Sequence, residues 1–295
     1  MYGTTERRRK ISAPDLRDRK GGERIAMVTA YDYTMARLAE AGGIDAVLVG
    51  DSLGMVFQGR ETTLPVTLED ICYHGRAVAA GLDATHLIGD LPFMTYQVSS
   101  AQALESAGRL MKEGCFESVK LEGGLEFADH VYRIVKAGIP VLGHVGLLPQ
   151  SVHAMGGFKV QGRTADAADK ILADARALEQ AGVYAIVIEA VPPDVAARIT
   201  REVSVPTIGI GAGVGCDGQI LVSTDLLGMG LGKSPKFAKR FAELGQAAVD
   251  AFATYVSEVR DGSFPGAEQS YKPNASQSDV TTTAFDAPLA LDHWH

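Results

Sequence analysis

The 295-residue chain has little cysteine and few aromatic residues: three cysteines, one tryptophan and 7% aromatic in all. Cys72, Cys115 and Cys216 stand far apart, and none belongs to a CxxC pair. That spacing excludes a disulfide framework and a thiolate zinc site, and leaves each cysteine as a small buried or half-buried side chain. No apolar run approaches the roughly 18 residues that a membrane span needs. The N-terminus lacks the apolar stretch of a secretory leader, so a cytoplasmic protein is expected. Positive charge is not in excess either. Lys and Arg number 28 against 36 Asp and Glu, a formal charge of −8, which argues against a general nucleic-acid binder. The one basic run, Arg7 to Lys10, reads as a solvated face.

What the chain does have is alternation. Short β-rich runs at Ile25–Ala30, Ile44–Val49, Thr85–Gly89, Ser118–Leu121, Ile139–Gly143, Tyr184–Ile188, Val205–Ile210 and Gln219–Val222 are separated by helical stretches. The helices carry their own punctuation. Thr67 with Asp70 forms a capping-box pattern, Ser99 opens and Gly114 closes the stretch between them, and Asp32 is placed to cap the first helix. A final helix is expected over Pro235–Arg260. Strands alternating with helices imply parallel pairing through crossovers. Eight such units point to a (β/α)₈ TIM barrel, with a doubly wound sheet as the alternative. The expected organisation is a basic N-terminal segment (1–23), a catalytic barrel (24–271) and a disordered tail (272–295), whose composition turns to Ser, Thr, Asp and Ala and which holds Trp294.

The functional signal lies in where the polar residues fall. The second strand runs into Asp51 and Ser52, and the third ends at Asp90. The fourth carries Lys120 and ends at Glu122, the fifth ends at His144 and the sixth at Glu189. In a (β/α)₈ barrel these ends converge on one rim, where active sites form. Any one of these acids alone would read as the cap of the next helix. Acids at four strand ends require a compensating cation. Oxygen donors without histidine or cysteine partners favour a hard ion such as Mg²⁺, which keeps positions open for substrate. An α-keto acid suits such a site, because polarising its carbonyl acidifies the neighbouring carbon. That chemistry needs a base free of metal, and Glu189 is the remaining acid. The glycine cluster Gly209, Gly211 and Gly213 suits either a phosphate loop or close backbone packing. Asp217 and Asp225 read as turn residues or rim contacts, and His74, His86 and His130 as surface or packing residues.

Several ordered motifs resemble the ketopantoate hydroxymethyltransferase family. They are TAYDY (29–33), VGDSLGM (49–55), TLPVT (63–67), DLPFM (90–94), VKLEGG (119–124), GHVGLLPQSV (143–152), GGFKVQGR (156–163), IGIGAG (208–213), DGQILV (217–222) and FPGAE (264–268). The resemblance spans about residues 24–271. It departs from the usual family pattern at His153, where Asn is common, and at Gln269, where His is common. The resemblance implies a barrel of the phosphoenolpyruvate/pyruvate type and Mg²⁺ held by Asp51, Asp90 and Glu122. It implies keto-acid contacts at Asp51, Ser52, Asp90, Lys120 and His144, and proton transfer at Glu189. The implied reaction moves a one-carbon unit from the co-substrate 5,10-methylenetetrahydrofolate to 3-methyl-2-oxobutanoate, giving 2-dehydropantoate for pantothenate synthesis. The implied assembly is a homo-oligomer, a decamer. The competing expectations are another Mg²⁺-dependent keto-acid lyase or mutase on this scaffold, and a non-catalytic paralogue that binds a keto acid or metal.

Overall fold

A computed structural model of the chain describes residues 8–232 and 234–272. The chain divides into two compact units, the first ending at Leu244 and the second starting at Gly245. The first unit contains a closed barrel of eight parallel strands. They are β1 (Ile25–Thr29), β2 (Ala46–Val49), β3 (His86–Asp90), β4 (Ser118–Glu122), β5 (Val141–Gly146), β6 (Ala185–Glu189), β7 (Thr207–Ile210) and β8 (Gly218–Leu221). Each strand pairs with the next, and β8 returns to β1, with Met27 opposite Ile220. The barrel expectation therefore holds, and the doubly wound alternative falls.

Burial separates the two faces of each strand. Ala46 and Leu48 belong to the cluster inside the barrel, while Val47 and Val49 join the larger layer between barrel and helices. The same period of two sets the direction of the polar strand residues. Asp90, His144 and Glu189 each lie two residues beyond an interior apolar residue, namely Ile88, Leu142 and Val187. Lys120 and Glu122 alternate with the outward Val119 and Leu121. The interior column thus turns from apolar to ionisable as the strands approach their C-terminal ends.

A five-residue helix, Ala13–Arg17, lies within the N-terminal segment, too short for its periodicity to show in the sequence. Ser12 and Asp15 cap it reciprocally, and it buries Ala13 and Leu16 in the barrel's inner cluster together with Ile11. Asp217, just before β8, fastens this segment to the barrel floor. Its carboxylate accepts from Lys20 Nζ at 3.0 Å, Gly21 N at 3.0 Å and Thr207 N at 2.9 Å. Asp217 is therefore a floor anchor and not a rim contact. Burial raises its pKa, but the hydrogen bonds from Thr207, Lys20 and Gly21 outweigh burial and hold it below the ordinary 3.8. A carboxyl whose folded pKa is depressed stabilises the fold fully above its unfolded value and loses that contribution as pH falls through the folded one. Asp217→Asn should cost about 1–3 kcal/mol near neutral pH. Thermal melts should show the gap to wild type closing as pH drops below 3.8; a gap that does not change with pH would mean that the charge is not what anchors the segment.

The caps read from the sequence are present: Thr67 and Asp70 form both legs of a capping box, and Asp32 accepts from Met35 N at 2.8 Å. Four expectations need correction. The crossover from β7 to β8 contains no helix; residues 211–217 run directly between the strands. Gly213 adopts a φ of +79°, and a Cβ there would lie 2.7 Å from Pro193. The glycine cluster is thus a close-packing device, with Gly213 pressed on the helix Pro193–Glu202, Gly211 against Phe237 and Gly209 against Cys216 and Gln219. The long helix expected from Pro235 starts at Leu244 and runs to Asp261. β5 extends to Gly146, so His144 lies within the strand and not at its end. Cys115 is exposed, at a φ of +62° just past the helix Ser100–Glu113. The expected disordered tail falls almost wholly at 273–295, outside the described residues. Among the described residues no helix is long and apolar enough to cross a membrane.

Candidate active site

Asp51, Ser52, Asp90, Lys120, Glu122, His144 and Glu189 all line one cavity of about 460 Å³ at the C-terminal mouth of the barrel. Five of them belong to β3–β6, where strand parity directs them inward. Asp51 and Ser52 follow β2 and begin the short helix Leu53–Val56. The glycine before them leaves room for the serine hydroxyl: a Cβ on Gly50 would sit 2.9 Å from Ser52 Oγ.

Lys120 lies at the centre of the cluster. Its Nζ donates to both oxygens of Asp90 at 2.8 Å and stands 3.7 Å from Glu122 Oε1. Burial favours the neutral amine, but the negative charges of Asp90, Glu122 and Asp51 outweigh it and raise the lysine above its ordinary value. Asp51, Asp90 and Glu122 are 4%, 1% and 2% exposed, so three buried carboxylates share one ammonium. The strain appears in their acidities. Burial, followed by the charge of Asp90, pushes Asp51 up to about 7 against the pull of Lys120 and Gln150. Burial likewise holds Glu122 well above the usual carboxylate range, with Asp51 and Asp90 adding to the effect against Lys120. The acids press against one another where a second cation would relieve them.

Glu189 differs. Its side chain is 16% exposed, and its near neighbour is His144 Nε2, 3.3 Å from Oε2. The His144 ring is buried, and burial lowers its pKa despite the opposing pull of Glu189. A neutral imidazole has one N–H to give. Glu122 Oε1 is 3.7 Å from the other ring nitrogen, so Glu189 is the nearer of the two acids.

Several site residues escaped the sequence reading. Gln150 is the clearest. Its Nε2 donates to Asp51 Oδ2 and to Leu91 O at 2.9 Å, and its backbone N donates to Glu122 Oε2 at 3.0 Å. Its Oε1 accepts from Tyr96 OH at 3.0 Å and Gln97 Nε2 at 3.1 Å. This buried amide orients two of the acids at once. It lies in GHVGLLPQSV, but it is uncharged and follows β5 in a turn, so reading strand ends for charge cannot find it. Tyr31 OH lies 2.9 Å from Ser52 Oγ and shares the same invisibility. Asp225, left open between turn and rim, lines the cavity with Phe158 and Phe237. The histidines outside the cavity take structural roles: His74 Nδ1 meets Tyr31 O at 2.6 Å, and His86 Nε2 meets Ser118 Oγ at 2.9 Å.

Residues 10–267 match the family described as ketopantoate hydroxymethyltransferase. The 3-methyl-2-oxobutanoate hydroxymethyltransferase of Anaeromyxobacter sp. (strain Fw109-5) is 55% identical over 276 residues, covering 92% of this chain and 90% of that protein. Two solved structures share the fold. One is 2,3-dimethylmalate lyase, a PEP mutase/isocitrate lyase superfamily member, with a TM-score of 0.56 at 17% identity, covering 88% of this chain and 92% of that one. The other is phosphonopyruvate hydrolase in complex with oxalate and Mg⁺⁺, with a TM-score of 0.57 at 15% identity, covering 88% and 93%.

Proposed function

The chain belongs to the ketopantoate hydroxymethyltransferase family, and from that premise we propose that it adds a hydroxymethyl group to C3 of 3-methyl-2-oxobutanoate, giving 2-dehydropantoate. In this reading 5,10-methylenetetrahydrofolate supplies the carbon, and Mg²⁺ occupies the acid cluster. The observation that carries the assignment of roles is the contrast between Glu189, 16% exposed and lining the cavity, and the three acids around Lys120, none more than 4% exposed.

Asp51, Asp90 and Glu122 are the residues that would hold the ion. Among the described residues no three such side chains already converge on one ligand point. The fit rests instead on the hard oxygen donors and on Glu122 Oε1, a buried atom without a hydrogen-bond partner. When bound, a divalent cation there would draw electron density from the keto oxygen and stabilise the charge left by deprotonation, an effect worth several kcal/mol. Lys120 and Ser52 present donors to the carboxylate of the keto acid. The Asp90 pair keeps the lysine charged and fixed, and Tyr31 orients the hydroxyl. Glu189 takes the C3 proton onto its carboxylate, with the buried His144 ring beside it, Nε2 3.3 Å from Oε2. The released electron pair forms the new carbon–carbon bond to the methylene. The donor's two C–N bonds break, water supplies the hydroxyl, the two freed nitrogens take up the proton held by Glu189 and the one left by the water, and tetrahydrofolate leaves.

The test is to incubate the protein with 3-methyl-2-oxobutanoate and Mg²⁺ in D₂O and to follow C3 by NMR. Loss of the C3–H signal is expected. EDTA should abolish exchange and turnover, and added Mg²⁺ should restore both. Undiminished exchange in metal-stripped protein would remove the cation from the mechanism; no exchange with metal present would sink the deprotonation step.

A further inference from the structure

The cavity is larger than a branched keto acid requires. At about 460 Å³ it falls within the roughly 300–1,000 Å³ of pockets that enclose drug-sized ligands. Its polar floor is the strand-end cluster, but its outer wall is of another kind. Met55, Val56, Phe158 and Phe237 line the cavity while remaining 36–53% exposed. Two aromatic side chains, a methionine and a valine left this open suit a flat ring. One carboxylate belongs to the cavity and not to the strand-end cluster: Asp225, on the short helix Ser223–Leu226 after β8. It is half-buried, and among the described residues its side chain has no hydrogen-bond partner. Burial raises its pKa, opposed by the charge of Arg240. A carboxylate held partly out of water without donors is costly unless a ligand supplies them.

A hydroxymethyltransferase must bind a carbon donor beside the keto acid. We propose that the outer half of this cavity is the donor subsite and that Asp225 recognises the adjacent ring N–H and amino N–H of a reduced pterin, seated against Phe158 and Phe237. The aminopyrimidinone edge of such a ring presents two parallel donors, which both oxygens of one carboxylate can accept. The inference rests on the folate reading above and adds to it the residue that reads the ring.

The experiment compares wild type with Asp225→Asn, Asp225→Ala and Phe237→Leu. The readouts are tetrahydrofolate affinity by calorimetry, KM for each substrate, and C3 exchange of the keto acid in D₂O. Asp225→Asn keeps the shape but turns an acceptor into a donor facing the ring's N–H pair. Tetrahydrofolate affinity should fall ten- to hundredfold, with the KM for the donor rising in step, while the KM for the keto acid and the C3 exchange stay within about twofold. Phe237→Leu should weaken the donor alone by a smaller factor, which keeps the subsite testable if the aspartate variants fold poorly. Wild-type donor affinity in the Asp225 variants would overturn the role of Asp225. Equal losses of exchange and donor binding would overturn the separation into two subsites. A wild-type protein that exchanges C3 but does not bind tetrahydrofolate would overturn the folate reading itself, and this inference with it.

Discussion

Glu189→Gln should lower both C3 exchange in D₂O and turnover by roughly a hundredfold or more, the scale of a positioned general base. Binding of Mg²⁺ and keto acid should survive. The amide keeps the shape of the side chain and can still meet His144 Nε2, which is 3.3 Å from the carboxylate in wild type. What it loses is the ability to accept a proton from carbon. The loss should therefore fall in the transition state and leave ground-state binding intact, so that kcat drops while the KM of the keto acid changes little. Exchange at the wild-type rate with lost turnover would place Glu189 after deprotonation, at the joining of the carbon unit. Lost Mg²⁺ binding by calorimetry would make it a ligand instead, and the base would then have to be sought among Asp51, Asp90 and Glu122.

Lys120→Met has the largest expected effect on stability. The substitution keeps an unbranched apolar stem and removes the ammonium that meets both oxygens of Asp90 at 2.8 Å. Asp90, 1% exposed, must then either take up a proton or remain charged without its partner, and Glu122 and Asp51 lose the same compensation. Breaking a buried pair from one side costs about 3–5 kcal/mol. For a chain of this length that corresponds to a fall in melting temperature on the order of 10 °C. Saturating Mg²⁺ should narrow the gap, because a cation among the remaining acids relieves the same repulsion. Calorimetric melts with and without metal would check both claims. A loss below about 1 kcal/mol would mean that the Lys120–Asp90 pair does not stabilise the resting protein.

Much of this protein was legible along the chain because it depends on local periodicity. Parallel strands alternating with capped helices announced the barrel. Their positions at or near the ends of apolar strands placed Asp90, Lys120, Glu122, His144 and Glu189 on one rim of that barrel. These features need only neighbouring residues to be read. The ordered motifs identified the family for the same reason, since Val49–Met55 and Val119–Gly124 stand at strand ends, where little else constrains so specific a run.

Tertiary structure decided what depends on residues far apart in the chain. Gln150 became the clamp of the acid cluster only because its turn after β5 lies over Asp51, 99 positions away in sequence. Asp217 went to the floor and Asp225 to the mouth, although only eight residues separate them, because β8 runs between them across the height of the barrel. The grouping of the acids likewise appears only in three dimensions. All four end or follow a strand, but Lys120 reaches Asp90 and Glu122 while Glu189 sits beyond it beside His144. Charge and periodicity are local properties and can be read one residue at a time; burial and pairing are properties of the closed barrel, and they appear only when the eight strands bring their ends together.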